Sequence, residues 1–252
     1  LDYVTMQYGG SYTGTASSIL WIADSASSVN VDHSTFQYSR YATIWTGPGS
    51  TSTISNSTIN NTANNGSPTV DVTGGTTTLT GNTITNSYYY GIWITDASPT
   101  ITANTIQNCG YGIYVTGSSS APTISSNLIT GNSSYGLLNV TSSVTITAEN
   151  NWWGDASGPY NATTNPTGTG DTVGSYVDFD PWTTTDPTAD TTPPSDVTLG
   201  TTRKDVWAQT ITLNWTNPTD SDFDHVQIDR TDVTAGTTST LSSAETGTSY
   251  SD

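Results

Sequence analysis

Residues 111–132 read YGIYVTGSSSAPTISSNLITGN, and this stretch is one complete unit of a repeat that runs through much of the chain. Its second half, Ile124-Ser125-Ser126-Asn127-Leu128-Ile129, places apolar residues on both sides of a polar turn. Related copies begin at Val31, Ile54, Leu79, Ile101 and Ile146. Successive copies start 22 to 25 residues apart, a period typical of a solenoid.

A second apolar element lies between successive copies and predicts the architecture of each coil. Residues 90–94 (YGIWI) and 111–115 (YGIYV) are two examples, and each is a short alternating strand bounded by turn residues. Two or three such strands within one repeat leave no room for a helix. The sequence therefore predicts an all-β protein whose main part is a parallel β-helix, a β-solenoid of about seven coils.

The same repeat predicts what holds the coils together. Equivalent positions should stack about 4.8 Å apart, with Ile, Val and Leu forming apolar ladders inside the solenoid. Asn82, Asn104 and Asn127 share one repeat position at a turn. Their side-chain amides are expected to hydrogen-bond from coil to coil as an asparagine ladder.

Residues 1 to about 182 resemble right-handed parallel β-helix surface proteins of the pectin-lyase-like type. The ordinary repeat is similar to residues 111–132, and NNWWGDASGP with the later VDFDPW is similar to an end-of-helix signature. This resemblance implies the right-handed fold. The resemblance also implies a possible catalytic role, because enzymes on this fold cut polysaccharides. The lyases use carboxylate-bound calcium and a basic residue, and the hydrolases use clustered aspartates.

That catalytic equipment is not found in the sequence. Arg40 is the only base within residues 1–182, and Asp24, Asp71, Asp96 and Asp155 are expected on different faces or turns. No nucleotide-binding loop, histidine metal cluster or Ser/His/Asp set is recognisable. We do not expect an enzyme, although polysaccharide processing remains the alternative.

The chain is expected to contain two domains. Residues 1–182 form the β-helix with its C-terminal cap, and residues 183–194 (TTTDPTADTTPP) are a Thr/Pro linker. Residues 195–252 resemble the start of a fibronectin type III domain, with Trp215 as its core tryptophan. Because such a sandwich needs roughly 90 to 100 residues, we expect an incomplete immunoglobulin or fibronectin III-like β-sandwich.

Composition restricts the partners and location. The formal net charge is −17, with four basic and 21 acidic residues, so nucleic acid is not an expected partner. No segment is apolar enough for membrane insertion. The single cysteine, Cys109, is expected to be a small buried hydrophobic residue. The chain opens inside a strand-like pattern with Leu1, which suggests a fragment or processed form of a larger protein.

Seven N-glycosylation sequons favour an extracellular or cell-surface protein, although Asn beside Ser and Thr also produces such triplets by chance. They begin at Asn56, Asn60, Asn65, Asn132, Asn139, Asn161 and Asn214.

Aromatic residues form the candidate carbohydrate-binding surface. On three coils a tyrosine precedes an equivalent glycine, namely Tyr90, Tyr111 and Tyr135. Trp93 and Tyr114 lie nearby. We call these five residues the aromatic wall. Sugar rings stack on aromatic faces, but coil-to-coil stacking that stabilises the solenoid is the competing interpretation.

Acidic residues form the candidate metal sites; the sequence predicts either no cofactor or calcium. Asp2 and Asp32 occupy the same outward position on successive coils, so they could hold a cation or raise one pKa. Asp220, Asp222 and Asp224 alternate as in a calcium loop, but the loop lacks the glycine and distal glutamate of a strong motif. The competing interpretation at Asp2 and Asp32 is an ordinary polar outer face.

Two hypotheses of function remain. The first is a non-enzymatic extracellular or cell-surface structural protein, which self-associates or stacks on neighbouring domains in a filament, sheath or surface layer. The second is a carbohydrate-binding or polysaccharide-processing module, with polysaccharide as its partner. Trp152 and Trp153 cannot both stack on one ligand, because neighbours in a strand point to opposite faces. We expect one of them to cover the last apolar cross-section of the solenoid.

Overall fold

The computed structural model describes residues 1–7, 18–23, 28–60, 66–188, 195–200, 202–205, 210–219 and 223–251. All regular elements in these residues are β-strands. The chain divides into two compact units, residues 1–187 and 188–252. Among the described residues, no helix is long and apolar enough to cross a membrane.

Three parallel sheets form the solenoid of the first unit, two with six strands and one with five, and consecutive strands of the chain fall in different sheets. The first sheet contains β1 (Thr5–Gln7), β4 (Thr35–Gln37), β7 (Thr58–Asn60), β10 (Thr83–Thr85), β13 (Thr105–Gln107) and β16 (Leu128–Thr130). The second contains β2 (Leu20–Ile22), β5 (Ile44–Thr46), β8 (Pro68–Val72), β11 (Tyr90–Thr95), β14 (Tyr111–Thr116) and β17 (Tyr135–Asn139). The third contains β3 (Ser28–Asp32), β6 (Thr51–Ser55), β9 (Thr76–Thr80), β12 (Thr100–Thr102) and β15 (Thr123–Ser125).

These sheets make a parallel β-solenoid of about five coils, so the seven coils expected from the sequence are not confirmed. The difference lies at the C-terminal end. The copy beginning at Ile146 forms only the short strand β18 (Ile146–Thr147), which pairs with β21 (Val177–Asp178) from the cap. The repeat in the sequence therefore continues beyond the last regular coil.

The interior consists of apolar ladders in exact coil-to-coil register. In the third sheet Ile54 pairs with Leu79, Leu79 with Ile101 and Ile101 with Ile124. All four side chains are buried. Burial of each such side chain is worth about 1.5–3 kcal/mol. A shift of one residue would turn the whole set outward, so the apolar pattern fixes the register.

An asparagine ladder runs along one edge of this core. The backbone N–H and side-chain Nδ2 of Asn82 both donate to Asn104 Oδ1, at 2.9 and 3.0 Å. Asn104 makes the same pair of bonds to Asn127. Asn127 makes them to Asn151 at 2.9 Å each. Asn151 thus supplies a fourth rung, beyond the three asparagines expected from the sequence.

Serines continue this ladder toward the N-terminal coils. Ser57 N–H donates to Asn82 Oδ1 at 3.0 Å, and Ser34 N–H donates to Ser57 Oγ at 3.0 Å. A hydroxyl is shorter than an amide and offers no second nitrogen. Each serine rung therefore joins two coils through fewer bonds than an asparagine rung.

The cap closes the C-terminal end of the solenoid. Besides β18 and β21 it contains β19 (Pro159–Tyr160) and β20 (Gly170–Thr172), which pair with each other. Trp153 is fully buried and belongs to the apolar core, whereas Trp152 is only partly buried. Asp171 accepts hydrogen bonds from the backbone and the side chain of Asn132, at 3.1 and 2.8 Å. The cap thus covers both apolar and polar groups of the last coil.

The second unit is small and antiparallel. Its strands are β22 (Thr198–Leu199), β23 (Arg203–Asp205), β24 (Thr210–Thr216), β25 (Val226–Asp232), β26 (Thr237–Glu245) and β27 (Ser249–Ser251). β24 pairs with β22, β23 and β27, and β25 pairs with β26. Trp215 and Ile228 are buried. A fibronectin III-like sandwich is not confirmed by these strands.

Candidate functional site

The second sheet carries two columns of aromatic residues. One column on its outer face runs from coil to coil, and every member is paired with the next by the strand register. Its members are Trp21, Trp45, Asp71, Trp93, Tyr114 and Leu138. Trp21 and Trp45 stack with ring centroids 3.8 Å apart and planes inclined by 15°.

A second column contains the three tyrosines of the aromatic wall. Tyr90 pairs with Tyr111, and Tyr111 with Tyr135. The centroids of the first pair are 5.2 Å apart, and those of the second are 5.9 Å apart with planes inclined by only 6°. Because each ring lies on the ring of the next coil, much of its flat face is covered by protein.

The other two members of the aromatic wall interlock with these tyrosines. Trp93 and Tyr114 meet edge to face, with centroids 5.4 Å apart. Tyr90 lies within 4.8 Å of both ring centroids. All five rings are partly buried. This arrangement stabilises neighbouring coils.

Asp71 also lies on this face, whereas the sequence analysis named it only among aspartates expected on different faces or turns. It occupies the position held by Trp45 and Trp93 on the adjacent coils. Burial raises the pKa of its carboxyl group from 3.8 to about 6, and no side chain among the described residues donates a hydrogen bond to it. The signal was present in the sequence, since Val70-Asp71-Val72 matches Ile92-Trp93-Ile94.

We expect Asp71→Asn to raise the free energy of unfolding by about 2 kcal/mol near neutral pH. The folded pKa of Asp71 lies above its ordinary value. The wild-type protein therefore loses stability as the pH rises through this interval and keeps the deficit above it. The advantage of the amide should shrink toward zero below about pH 4. Urea unfolding near neutral pH and below about pH 4 measures the difference in stability, with Asp178→Asn as the control. An equal gain in stability at the two pH values would show that the raised pKa of Asp71 is not its cause.

A groove of about 700 Å³ opens beside the tyrosine column. Tyr88, Tyr89 and Tyr111 contribute aromatic rings, and Ser133 and Ser134 contribute polar groups. Tyr88 is 57% exposed, so part of its side chain is available to a ligand. Aromatic rings next to hydroxyl groups in a concave surface suit a polyhydroxylated ligand.

Cys109 lies in the wall of this groove but is not a reactive thiol in this state. Its side chain is buried and donates a hydrogen bond to the carbonyl of Gln107 at 3.3 Å. Burial raises its thiol pKa to about 11. The thiol is therefore protonated at neutral pH, and a weakly nucleophilic thiol is expected.

The first acidic pair is adjacent in the structure. Asp2 and Asp32 form a parallel bridge between successive coils, and with His33 they offer ligand atoms within 4.8 Å of one another. Such a group can hold a metal ion. The pKa of Asp32 is lowered to about 2, chiefly by the hydrogen bond from Ser55 Oγ at 2.8 Å. The paired carboxylates therefore do not raise the pKa of Asp32, contrary to one of the two sequence expectations.

The second acidic group is described only in part. Asp220 and Asp222 lie outside the described residues. Asp224 is exposed, and its carboxylate lies 2.8 Å from His225 Nδ1. A calcium site there stays a prediction.

Three predicted glycosylation sites are buried. The Nδ2 atoms of Asn132, Asn139 and Asn161 donate hydrogen bonds to backbone carbonyls, at distances of 2.7 to 3.2 Å. A glycan would be attached to this same nitrogen, so the folded protein has no room for one at these positions. The sequence motif cannot report burial, which explains the discrepancy.

The remaining sequons differ in accessibility. Asn56 is exposed, and its Nδ2 donates to Asp32 Oδ1 at 3.0 Å. Asn60 and Asn214 are partly buried, and Asn65 lies outside the described residues. Glycosylation at these four positions stays a prediction.

Comparison with known proteins agrees with this architecture. The family model described as right handed beta helix region matches residues 12–153. No curated protein and no solved structure matches the chain. The match covers more than half of the chain and includes the coils that carry the aromatic wall and Asp71. The chain therefore belongs to the right-handed β-helix family.

Proposed function

We propose that this chain is a non-enzymatic structural module of an extracellular or cell-surface protein. The observation that carries the proposal is that many side chains of the solenoid contact the equivalent side chain of the next coil. The asparagine ladder, the apolar ladders and the stacked rings all bind one coil to the next. These groups give a stiff scaffold rather than a set of convergent reactive groups.

The proposal includes association through the N-terminal coils. Val4 directs its amide to Ser34 Oγ and its carbonyl to Thr35 N–H. The amide of Thr5 therefore points away from β4, because successive residues of a strand face opposite edges. Within the described residues no strand pairs with this edge of β1. An edge of this kind can pair with a neighbouring domain or another copy in a filament, sheath or surface layer.

Sedimentation velocity over a range of concentrations tests this association. We expect reversible self-association of the wild-type chain, and a severalfold weaker association in Thr5→Pro, which lacks the edge amide. Thr5→Ala keeps the amide and is the matched control. Two results together would contradict the structural role. The chain would stay monomeric at all concentrations, and it would turn over a polysaccharide in a reaction that Asp32→Asn abolishes.

Carbohydrate binding is the second candidate, and the groove beside the tyrosine column is the observation that favours it. We expect Tyr88→Ala to weaken binding to a glycan by about tenfold, because one stacked ring contributes roughly 1 kcal/mol or more. Tyr3→Ala removes an exposed ring that stacks on His33 elsewhere, so it should leave binding unchanged. A glycan array followed by titration measures both variants. Equal losses in the two variants would argue against the groove.

Two finer assignments accompany this proposal. The second unit serves as a fibronectin III-like joint, supported by the buried Trp215 on β24. Calcium at Asp2 and Asp32 would link the first two coils, supported by the proximity of their carboxylates.

A further inference from the structure

The aromatic wall is part of a larger network of rings. Tyr88 contacts Tyr89 at a centroid distance of 4.9 Å, and Tyr89 contacts Tyr90 of the wall at 6.1 Å. The contacts within the wall have centroid distances of 4.7 to 5.9 Å. All of these values lie in the range of roughly 4.5–7 Å for aromatic pairs in contact. Seven rings of the described residues are thus joined in one series of contacts.

Such a network can carry an oxidising charge. Phenols and indoles lose one electron to strong oxidants, whereas aliphatic side chains do not. Electron transfer between two rings in contact is fast, because orbital overlap falls steeply with distance. A positive charge created on one ring of the network can therefore move to the others.

Tyr88 is the exposed end of this network. Its side chain is 57% exposed, whereas the other six rings are partly buried. Among the described residues the ring of Tyr88 contacts that of Tyr89 and no other. Tyr89 is therefore the link between Tyr88 and the aromatic wall.

The phenolic proton decides where the oxidation ends. An oxidised phenol becomes a stable neutral radical only when it also loses its hydroxyl proton. Tyr88 can release this proton to solvent, whereas burial raises the pKa of the Tyr90 phenol. An oxidised indole is reduced by a phenol that can lose its proton in this way. The radical should therefore come to rest on Tyr88.

We propose that Tyr88 is a site of oxidative cross-linking between two copies of this chain. A peroxide, acting through a one-electron oxidising enzyme, takes one electron and one proton from Tyr88 of each chain and becomes water. The carbons ortho to the two phenol oxygens then join in a new C–C bond. The hydrogen on each of these carbons moves back to its oxygen, and the product is dityrosine. The inference rests on the proposed structural role, since this bond would make an association between copies permanent.

Oxidation of the full chain by azide radicals tests the network, because this oxidant attacks indoles in preference to phenols. A denaturing gel separates the cross-linked dimer, and mass spectrometry locates the joined residues. We expect cross-links at Tyr88 to predominate, although Tyr3 is more exposed, at 76%. Tyr88→Phe should lose most of the dimer, and Tyr3→Phe should keep it. Concentrations at which the chain is monomeric separate this chemistry from the self-association proposed above.

Two conservative variants test the path to Tyr88. Tyr89→Phe keeps a ring at the link but removes the phenol that carries the charge, so cross-linking should fall although Tyr88 stays exposed. Trp93→Phe should lower the yield as well, because Trp93 contacts Tyr90 at a centroid distance of 4.7 Å and is the indole of the network. Circular dichroism checks that each variant is folded.

Trp21→Phe is the matched control for the loss of an indole. Trp21 stacks on Trp45 in the same sheet, and Asp71 separates that pair from Trp93 in the column. The yield of cross-linked dimer should therefore stay unchanged in this variant.

Three results would overturn the proposal. The first is oxidation that collects at Cys109 or another residue and leaves no dimer joined through Tyr88. The second is an unchanged yield in Tyr89→Phe. The third is an equal loss in Trp93→Phe and Trp21→Phe.

Discussion

Trp153→Ala is expected to reduce the free energy of unfolding by about 3–5 kcal/mol. The indole packs in the apolar core and is completely shielded from solvent, at the level where the last regular coil ends. Its removal leaves a cavity bounded by the core on one side and the backbone of the cap on the other. Urea unfolding followed by far-UV circular dichroism measures the loss.

Two further variants separate the closing role of Trp153 from a general effect of aromatic deletion. Trp153→Phe retains an apolar ring and also removes a buried Nε1–H that has no hydrogen-bond partner among the described residues, so the loss of stability should be clearly smaller. Tyr160→Ala deletes an exposed ring of the same cap and should change stability by only about 0.5 kcal/mol. If Trp153→Ala behaved like Tyr160→Ala, the cap would not depend on this indole.

Asn104→Ala is expected to destabilise the solenoid by roughly 4 kcal/mol. Asn104 Oδ1 accepts from both the backbone and the side chain of Asn82, and its Nδ2 donates to the carbonyl of Leu79 at 2.9 Å. Alanine leaves these buried groups without partners. The same urea assay gives the difference in free energy.

The chain itself supplies the matched control for this rung. Ser57 holds the equivalent ladder position, where its Oγ accepts from Ser34 N–H. Asn104→Ser should keep the bond from the Asn82 backbone and lose the side-chain bonds, so its cost should be about half that of alanine. Equal costs for serine and alanine would show that the ladder contributes packing rather than hydrogen bonds.

The solenoid was predictable because its coils are local repeats of one pattern. Inward positions such as Ile101 and Ile124 are apolar in every copy, and the pairing register follows from that pattern alone. The number of coils was not predictable. The copy at Ile146 is recognisable in sequence as a modified repeat, but its strand pairs with β21, and that partner lies about 30 residues further along the chain.

The candidate site was predictable only in part, for a related reason. The aromatic wall follows from equivalent repeat positions, so Tyr90 and Tyr111 could be placed together. Whether stacked rings show their faces or their edges depends on side-chain rotamers, which the repeat does not encode. Asp71 was not assigned to the aromatic column, because an aspartate there departs from the consensus of its own repeat.

The cap limits how the solenoid can take part in an assembly. Coils can be added only where strand edges and ladder groups are free, and Trp153 with Asp171 occupies those groups at the C-terminal end. The solenoid can therefore accept further coils at its N-terminal end alone, so it can end a stack of coils but cannot extend one in both directions. A filament of this protein would therefore need a second kind of link.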